Sequence, residues 1–116
     1  MDGCLFCRIV AGELPSRRRH ECDLVVAFED IAPQAPLHLL LVPREHLASA
    51  AELRDTPAHA ALLARIHDVA RRLADEAGHG AGGWRLVSNV GRDGGQAVAH
   101  LHYHLLAGRQ MAWPPG

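Results

Sequence analysis

The segment His100-Leu101-His102-Tyr103-His104-Leu105-Leu106 places an imidazole at every second position and an apolar or aromatic residue between. A period of two belongs to a β-strand, on which successive side chains leave opposite faces. The spacing predicts three imidazoles on one face, with Leu101, Tyr103 and Leu105 packed behind them. Such a strand needs neighbours to pair with and a core beneath it, so a sheet is required. An imidazole changes charge near neutral pH, and a row of them offers a nucleophile, a proton donor, a phosphate partner or a metal ligand. The plain alternative is a half-buried strand whose polar face is histidine by accident. Nine histidines among 116 residues do not make such a triplet commonplace.

The rest of the chain supplies that sheet. Leu24 to Glu29 and Leu37 to Val42 are apolar runs separated by Asp30-Ile31-Ala32-Pro33-Gln34-Ala35-Pro36, which is turn chemistry, and they read as an antiparallel pair. From Pro57 to about Ala77, Leu62, Leu63, Ile66, Val69, Ala70 and Leu73 recur at helical spacing. Thr56 is a good N-cap for that helix and Gly78 a good stop. Leu5 to Ala11 fits one short helix ending at Gly12, and Trp84 to Asn89 reads as a strand before the histidine strand. The expected class is α+β: an antiparallel sheet of about five strands with one long and one short helix, residues 1–116 forming a single domain.

Composition narrows the function. There is no lysine, so neither a P-loop nor a Schiff base is available. No basic stripe tracks a nucleic-acid backbone, and net charge is −1. Met1-Asp2-Gly3-Cys4 has no basic, apolar leader, and no run is long enough to span a bilayer. Three cysteines, an odd number, point to a reducing compartment and a cytoplasmic setting.

The loop Asn89-Val90-Gly91-Arg92-Asp93-Gly94-Gly95-Gln96 runs into the histidine strand. Its glycines favour a nest of backbone N–H groups for an anion, with Asn89 and Gln96 as further donors. A hairpin needs the same residues for geometry alone. Histidines two apart on a strand also suit a catalytic zinc or iron, but no Asp or Glu follows Asp93, so a carboxylate ligand would come from far upstream. Cys4-x-x-Cys7 has zinc spacing, yet a lone CxxC is also redox-active or inert in other settings. His38 is alone in an apolar run, where a satisfied core histidine is the ordinary reading. His20, His59, His67 and His79 read as surface, Arg17-Arg18-Arg19 as a solvated charge run, and Cys22 as a free thiol.

The histidine segment matches the His-φ-His-φ-His-φ-φ signature of the histidine-triad (HIT) family, φ being apolar. Phe28 to His38, Val42-Pro43-Arg44-Glu45-His46, Asp93-Gly94-Gly95-Gln96 and the tail Gly108 to Gly116 resemble its Hint branch, in order and over most of the chain. The resemblance implies a HIT-like fold, a two-fold homodimer and a hydrolase of purine nucleoside 5′-phosphoramidates. His102 is then the nucleophile that forms a nucleotidyl-histidine, with His38, His100 and His104 in support. Asp30 would hold ribose hydroxyls, Phe28 and Ile31 the base, and Asn89, Gly95 and Gln96 the phosphate. Ala97 stands where these enzymes usually carry serine, which bears on rate and leaving group. Trp113, in the tail, would lie near the partner's site and influence substrate choice. Zinc-binding bacterial members further imply a structural zinc on Cys4, Cys7, His46 and His100. Other branches cleave dinucleoside polyphosphates or transfer nucleotides, and some Hint-like proteins act as interaction modules.

Overall fold

The computed structural model describes residues 3–116. Met1 and Asp2, on which part of the no-leader reading rests, lie outside the described residues. The elements follow the order α1 (Leu5–Val10), β1 (Arg18–Glu21), β2 (Val25–Glu29), β3 (Leu37–Pro43), a 3-10 turn (Ala50–Glu52), α2 (Pro57–Glu76), β4 (Trp84–Val87) and β5 (Tyr103–Ala107). The five strands form one antiparallel sheet in the order β1-β2-β3-β5-β4, as the α+β reading expects.

The pleat sorts the apolar residues into two cores. Val25 and Ala27 of β2, Leu37, Leu39 and Leu41 of β3, and Leu105 and Ala107 of β5 face α2, meeting Leu62, Ile66, Val69, Ala70 and Leu73. The alternate residues Val26, Phe28, Leu40 and Val42 face the other way and meet Phe6 and Ile9 of α1. The central strand therefore reads as a continuous apolar run because both of its faces are covered. The Thr56 hydroxyl caps α2 by accepting from His59 N at 3.2 Å, and Pro57 occupies the first turn.

Three local readings differ from the structure. The histidine strand joins the ladder only from Tyr103, which pairs with Leu41 of β3. Upstream, Leu101 N donates instead to Leu47 O at 2.6 Å, yet the alternation continues, with Leu101 buried on the α2 side. Secondly, Arg18–Glu21 forms the edge strand β1 rather than a solvated run. Arg18 is half-buried and donates from Nη2 to Ile9 O and Val10 O, closing the carbonyl end of α1. Charged residues suit an edge strand and disguise it as a loop. Thirdly, His20 is half-buried against α2 rather than on the surface, and burial pulls its pKa down.

Candidate active site

Histidines 38, 102 and 104 come together on the sheet face away from α2, at the end that α1 leaves open. Pairing Leu40 with His104 and His38 with Leu106 sets the two imidazoles diagonally across adjacent strands. His38 Nδ1 accepts from Gln34 N at 3.0 Å, which leaves its hydrogen on Nε2. That Nε2 donates to His104 Nδ1 at 2.9 Å, with Asp30 Oδ2 at 3.4 Å. His104 therefore carries its own hydrogen on Nε2. The chain of partners fixes each tautomer in turn.

His102 is fixed differently. Its Nδ1 lies 2.7 Å from the carbonyl oxygen of His100, which can only accept, so Nδ1 is the donor. Nε2 keeps its lone pair. The ring of Phe6 meets His102 edge-on with centroids 5.0 Å apart, and the His104 ring lies 5.1 Å away on the other side. Ser88 Oγ donates to His102 O at 2.8 Å and steadies the backbone there. A buried imidazole with an unprotonated nitrogen stands beside a hydrogen-bonded imidazole pair; the first suits nucleophilic attack, and the pair can pass a proton to a leaving group once it carries one more than its neutral form. Burial lowers the pKa of His38, opposed by the charge of Asp30. Burial lowers that of His104 as well, with the neighbouring imidazoles adding to it.

His100 belongs to a second cluster. Its Nε2 donates to Pro43 O at 3.0 Å, so Nδ1 presents a lone pair. That Nδ1 lies 3.3 Å from Cys4 Sγ, 3.4 Å from Cys7 Sγ and 3.2 Å from His46 Nδ1, while Cys7 Sγ and His46 Nδ1 are 3.1 Å apart. With bonds of about 2.3 Å to sulfur and about 2.0 Å to nitrogen, tetrahedral zinc ligands sit roughly 3.3–3.8 Å apart. The four donors are close to that arrangement, and the carbonyl on His100 Nε2 is the usual outer partner of a metal-bound imidazole. Burial, then the neighbouring Cys4, push the Cys7 thiol up to about 11, a penalty that a bound cation would reverse. His100 thus meets the nucleophile through its carbonyl, while its ring faces the cysteines.

Two clefts flank the imidazoles. One, of about 770 Å³, has Leu5, Phe6, Ile9, Phe28, Leu40 and Val98 as apolar walls, with Asp30 and Ile31 at its edge. Phe28 is buried there and Ile31 fully exposed. The other, of about 490 Å³, includes His38, His104, Asn89, Gln34, Arg85 and Arg109. Asp30 also brings the upstream carboxylate to the histidines, since Asp30, His38 and His104 offer donor atoms within 4.8 Å of one another. The α1 residues Leu5, Phe6 and Ile9 were not foreseen as cleft walls. Phe6, inside the CxxC, and Ile9, three residues on, carry the signal at helical spacing.

The glycine loop closes on itself through three of its amides. Gly95 N donates to Arg92 O and Gln96 N to Gly91 O, both at 3.0 Å, while Gly91 N donates to Gln96 Oε1 at 3.0 Å. Gln96 Nε2 donates to Ala48 O and Val98 O, so this side chain braces the loop. Gly94 is required because a Cβ there would lie 2.3 Å from Val90 O. Ala97 is exposed in the same loop. Trp113 is 84% exposed and lines neither of these clefts.

Comparison with known proteins gives a consistent picture. The family model described as "Scavenger mRNA decapping enzyme C-term binding" matches residues 3–113. A HIT family hydrolase from Legionella pneumophila has a solved structure with a TM-score of 0.94 and 48% identity, covering 98% of this chain and 100% of that one. The 14 kDa zinc-binding protein of Brassica juncea is 40% identical over 97% of this chain and 98% of its own length. The Arabidopsis thaliana protein named adenylylsulfatase HINT1 is 41% identical over 97% of this chain and 76% of its own length. Among the described residues no helix is long and apolar enough to cross a membrane.

The lowered pKa values of His38 and His104 make a stability prediction. Each imidazole binds its proton more readily unfolded than folded, so protonation favours unfolding. Stability is expected to hold above the unfolded histidine value of about 6.5 and to fall as pH drops below it. Urea midpoints between pH 7 and pH 5 should show this, with a shallower fall in His38→Asn. An equal fall in that variant would remove His38 from the account.

Proposed function

We propose that this chain, which belongs to the histidine-triad (HIT) family, is a nucleotide-binding hydrolase that cleaves purine nucleoside 5′-phosphoramidates through a nucleotidyl-histidine on His102. The observation that carries this reading is the hydrogen bond from His102 Nδ1 to His100 O, which leaves Nε2 as a nucleophile. The name of the Legionella relative supports hydrolysis, and that of the Arabidopsis relative supports an adenylyl group as its target.

In this reading the base lies in the apolar cleft between α1 and Ile31, and Asp30 takes ribose hydroxyls at its inner edge. His102 Nε2 attacks the α-phosphorus as the phosphorus–nitrogen bond to the amine breaks. The amine leaves with the proton of His104 Nε2 from a relay of His104, His38 and Asp30 that enters the cycle with one added proton, so that neutral imidazoles remain. Water then attacks the phosphorus, giving its proton to His104, and releases the nucleoside monophosphate from His102. The supports are general: one imidazole with a free lone pair, and a neighbour whose hydrogen is assigned by its partners. Asn89, in the adjoining cleft, and the loop carrying Gly95, Gln96 and Ala97 would stand on the phosphate side.

Cys4, Cys7, His46 and His100 would hold a zinc ion. Four protein ligands leave no open position, so the metal's contribution is structural, tying α1 to the chain before β5. The name of the Brassica relative supports this. The reading also includes a two-fold homodimer in the cytoplasm. The support for a partner is that β4 is an edge strand and the tail carrying Trp113 leaves its hydrophobic ring exposed.

His102→Asn is expected to lose several orders of magnitude in adenosine phosphoramidate turnover. Substrate trapping should add one nucleoside monophosphate to the wild type alone, and near-normal turnover by the variant would overturn the mechanism. A dinucleoside polyphosphate assayed alongside distinguishes the other branches of the family.

Protein prepared without chelators should carry about one zinc per chain. Cys4→Ser and His46→Ala should lower both metal content and Tm, and metal-free protein with the stability of the untreated form would refute the site.

Sedimentation is expected to show a dimer at micromolar concentration. A monomer there would refute the assembly.

A further inference from the structure

In the relay the hydrogen on His38 Nε2 bridges to His104 Nδ1, and His104 keeps a second on its own Nε2. If that second hydrogen left, the pair would become an anion, so turnover requires a third. Only one nitrogen has room for it. His38 Nδ1 faces the Gln34 N–H at 3.0 Å, and a proton there would oppose another hydrogen. His104 Nδ1 is left, yet a proton on it would oppose the His38 N–H across 2.9 Å. One of the two must find another acceptor.

Asp30 supplies one. Its Oδ2 lies 3.4 Å from His38 Nε2, and Asp30, His38 and His104 offer donor atoms within 4.8 Å of one another. Ala32 N donates to Oδ1 at 2.8 Å and so fixes the carboxylate with Oδ2 toward the histidines. Side-chain exposure is 4% for His38 and 17% for Asp30, so little water competes for the bond. The other titratable or charged groups near His104 are His102 on its own strand, Arg85 from β4 and Arg109 after β5. Helix α1 contributes the uncharged ring of Phe6. Asp30 is the one anion in this set. Burial lowers the pKa of both relay imidazoles, and the charge of Asp30 opposes it in both.

We propose that the added proton resides on His104 Nδ1 and that the His38 N–H then turns to Asp30, whose carboxylate holds the charged acid in place. Asp30 is thus a positioning residue for the proton, acting through His104, besides any ribose hydroxyl that its remaining lone pairs accept. The proposal rests on the reading of His102 as nucleophile. As the phosphorus–nitrogen bond breaks, His104 Nε2 passes its hydrogen to the amine and keeps the electron pair. A neutral ring remains, with its hydrogen on Nδ1. The pair on Nε2 then takes a proton from the attacking water, which restores the imidazolium. The proton on Nδ1 stays throughout, and one water is consumed per turnover.

A pH titration of protein labelled with nitrogen-15 in its histidines reads these protons directly. His104 should gain a proton on Nδ1 as pH falls, while His38 Nδ1 stays unprotonated as long as the protein is folded. Asp30→Asn, which removes the charge and keeps an oxygen for Ala32 N, should move the His104 midpoint down by about one unit or more. A kinetic comparison uses kcat/KM at neutral pH for adenosine 5′-phosphoramidate and adenosine 5′-(p-nitrophenyl phosphate), whose phenolate leaves without a proton. Dividing the variant's loss on the amidate by its loss on the ester cancels the ribose contribution, and a quotient of about ten or more is expected. The alkaline limb of the amidate profile should shift to lower pH together with the His104 midpoint. A second proton on His38 Nδ1, a His104 midpoint unmoved in Asp30→Asn, or a quotient of one would overturn the proposal. If the variant does not fold, the wild-type nitrogen shifts alone decide where the proton lies. If wild type turns over neither compound, the nucleophile reading fails, and the labelled titration still supports or refutes the relay by the same criteria.

Discussion

All seven residues of β3 are buried, and His38 alone among them has a polar side chain. Burying an imidazole without partners costs a few kcal/mol, so the surroundings must satisfy both of its nitrogens. They do so from two directions: the Gln34 amide on Nδ1, and His104 with Asp30 on Nε2. This couples the sheet's register to the site. Slipping β3 by one residue would turn His38 into the α2 core and send Leu37 or Leu39 to the open face. The apolar core and the relay therefore require the same pairing of β2, β3 and β5.

The segment before β5 joins two clusters that the sequence alone leaves separate. Residues 100 to 102 lie outside the ladder, so backbone groups there are available for other bonds. The carbonyl of His100 is spent on His102, and its ring on the cysteines and Pro43. Helix α1, which brings Cys7 to that ring, also brings Phe6 against both His100 and His102. A six-residue helix has little stability of its own, and its place is set by what it docks against. The cysteine–histidine cluster and the Phe6–Ile9 contacts with β2 and β3 are those docking points.

Periodicity made much of this legible. The long helix, the central strands and the facing of the three imidazoles all follow from spacings of 3.6 and two, because burial on one side enforces them. β1 was hidden because an edge strand with Arg18, Arg19 and Glu21 has little burial to reveal it. The roles of His38 and Asp30 are tertiary facts. Nothing local shows that an isolated histidine in an apolar run will face another histidine rather than a carbonyl. In the loop 89–96 the glycines are legible, and what the sequence does not show is that the amides of Gly91, Gly95 and Gln96 close the turn. Family resemblance, rather than spacing, joined Cys4 and Cys7 to His46 and His100.

A chain of this size has room for one substantial core, and the sheet gives it to the α2 side. The other face is divided. The α1 end is apolar, the β4 end sets Arg85 and Arg109 among Val87, Leu106 and the tail, and the imidazoles lie between them. That division follows from strand order. Placing β5 between β3 and β4 puts His104 next to His38 on one flank and next to the Arg85 strand on the other. Strand order therefore decides which side chains meet the imidazoles on each flank, and the loops refine what it sets.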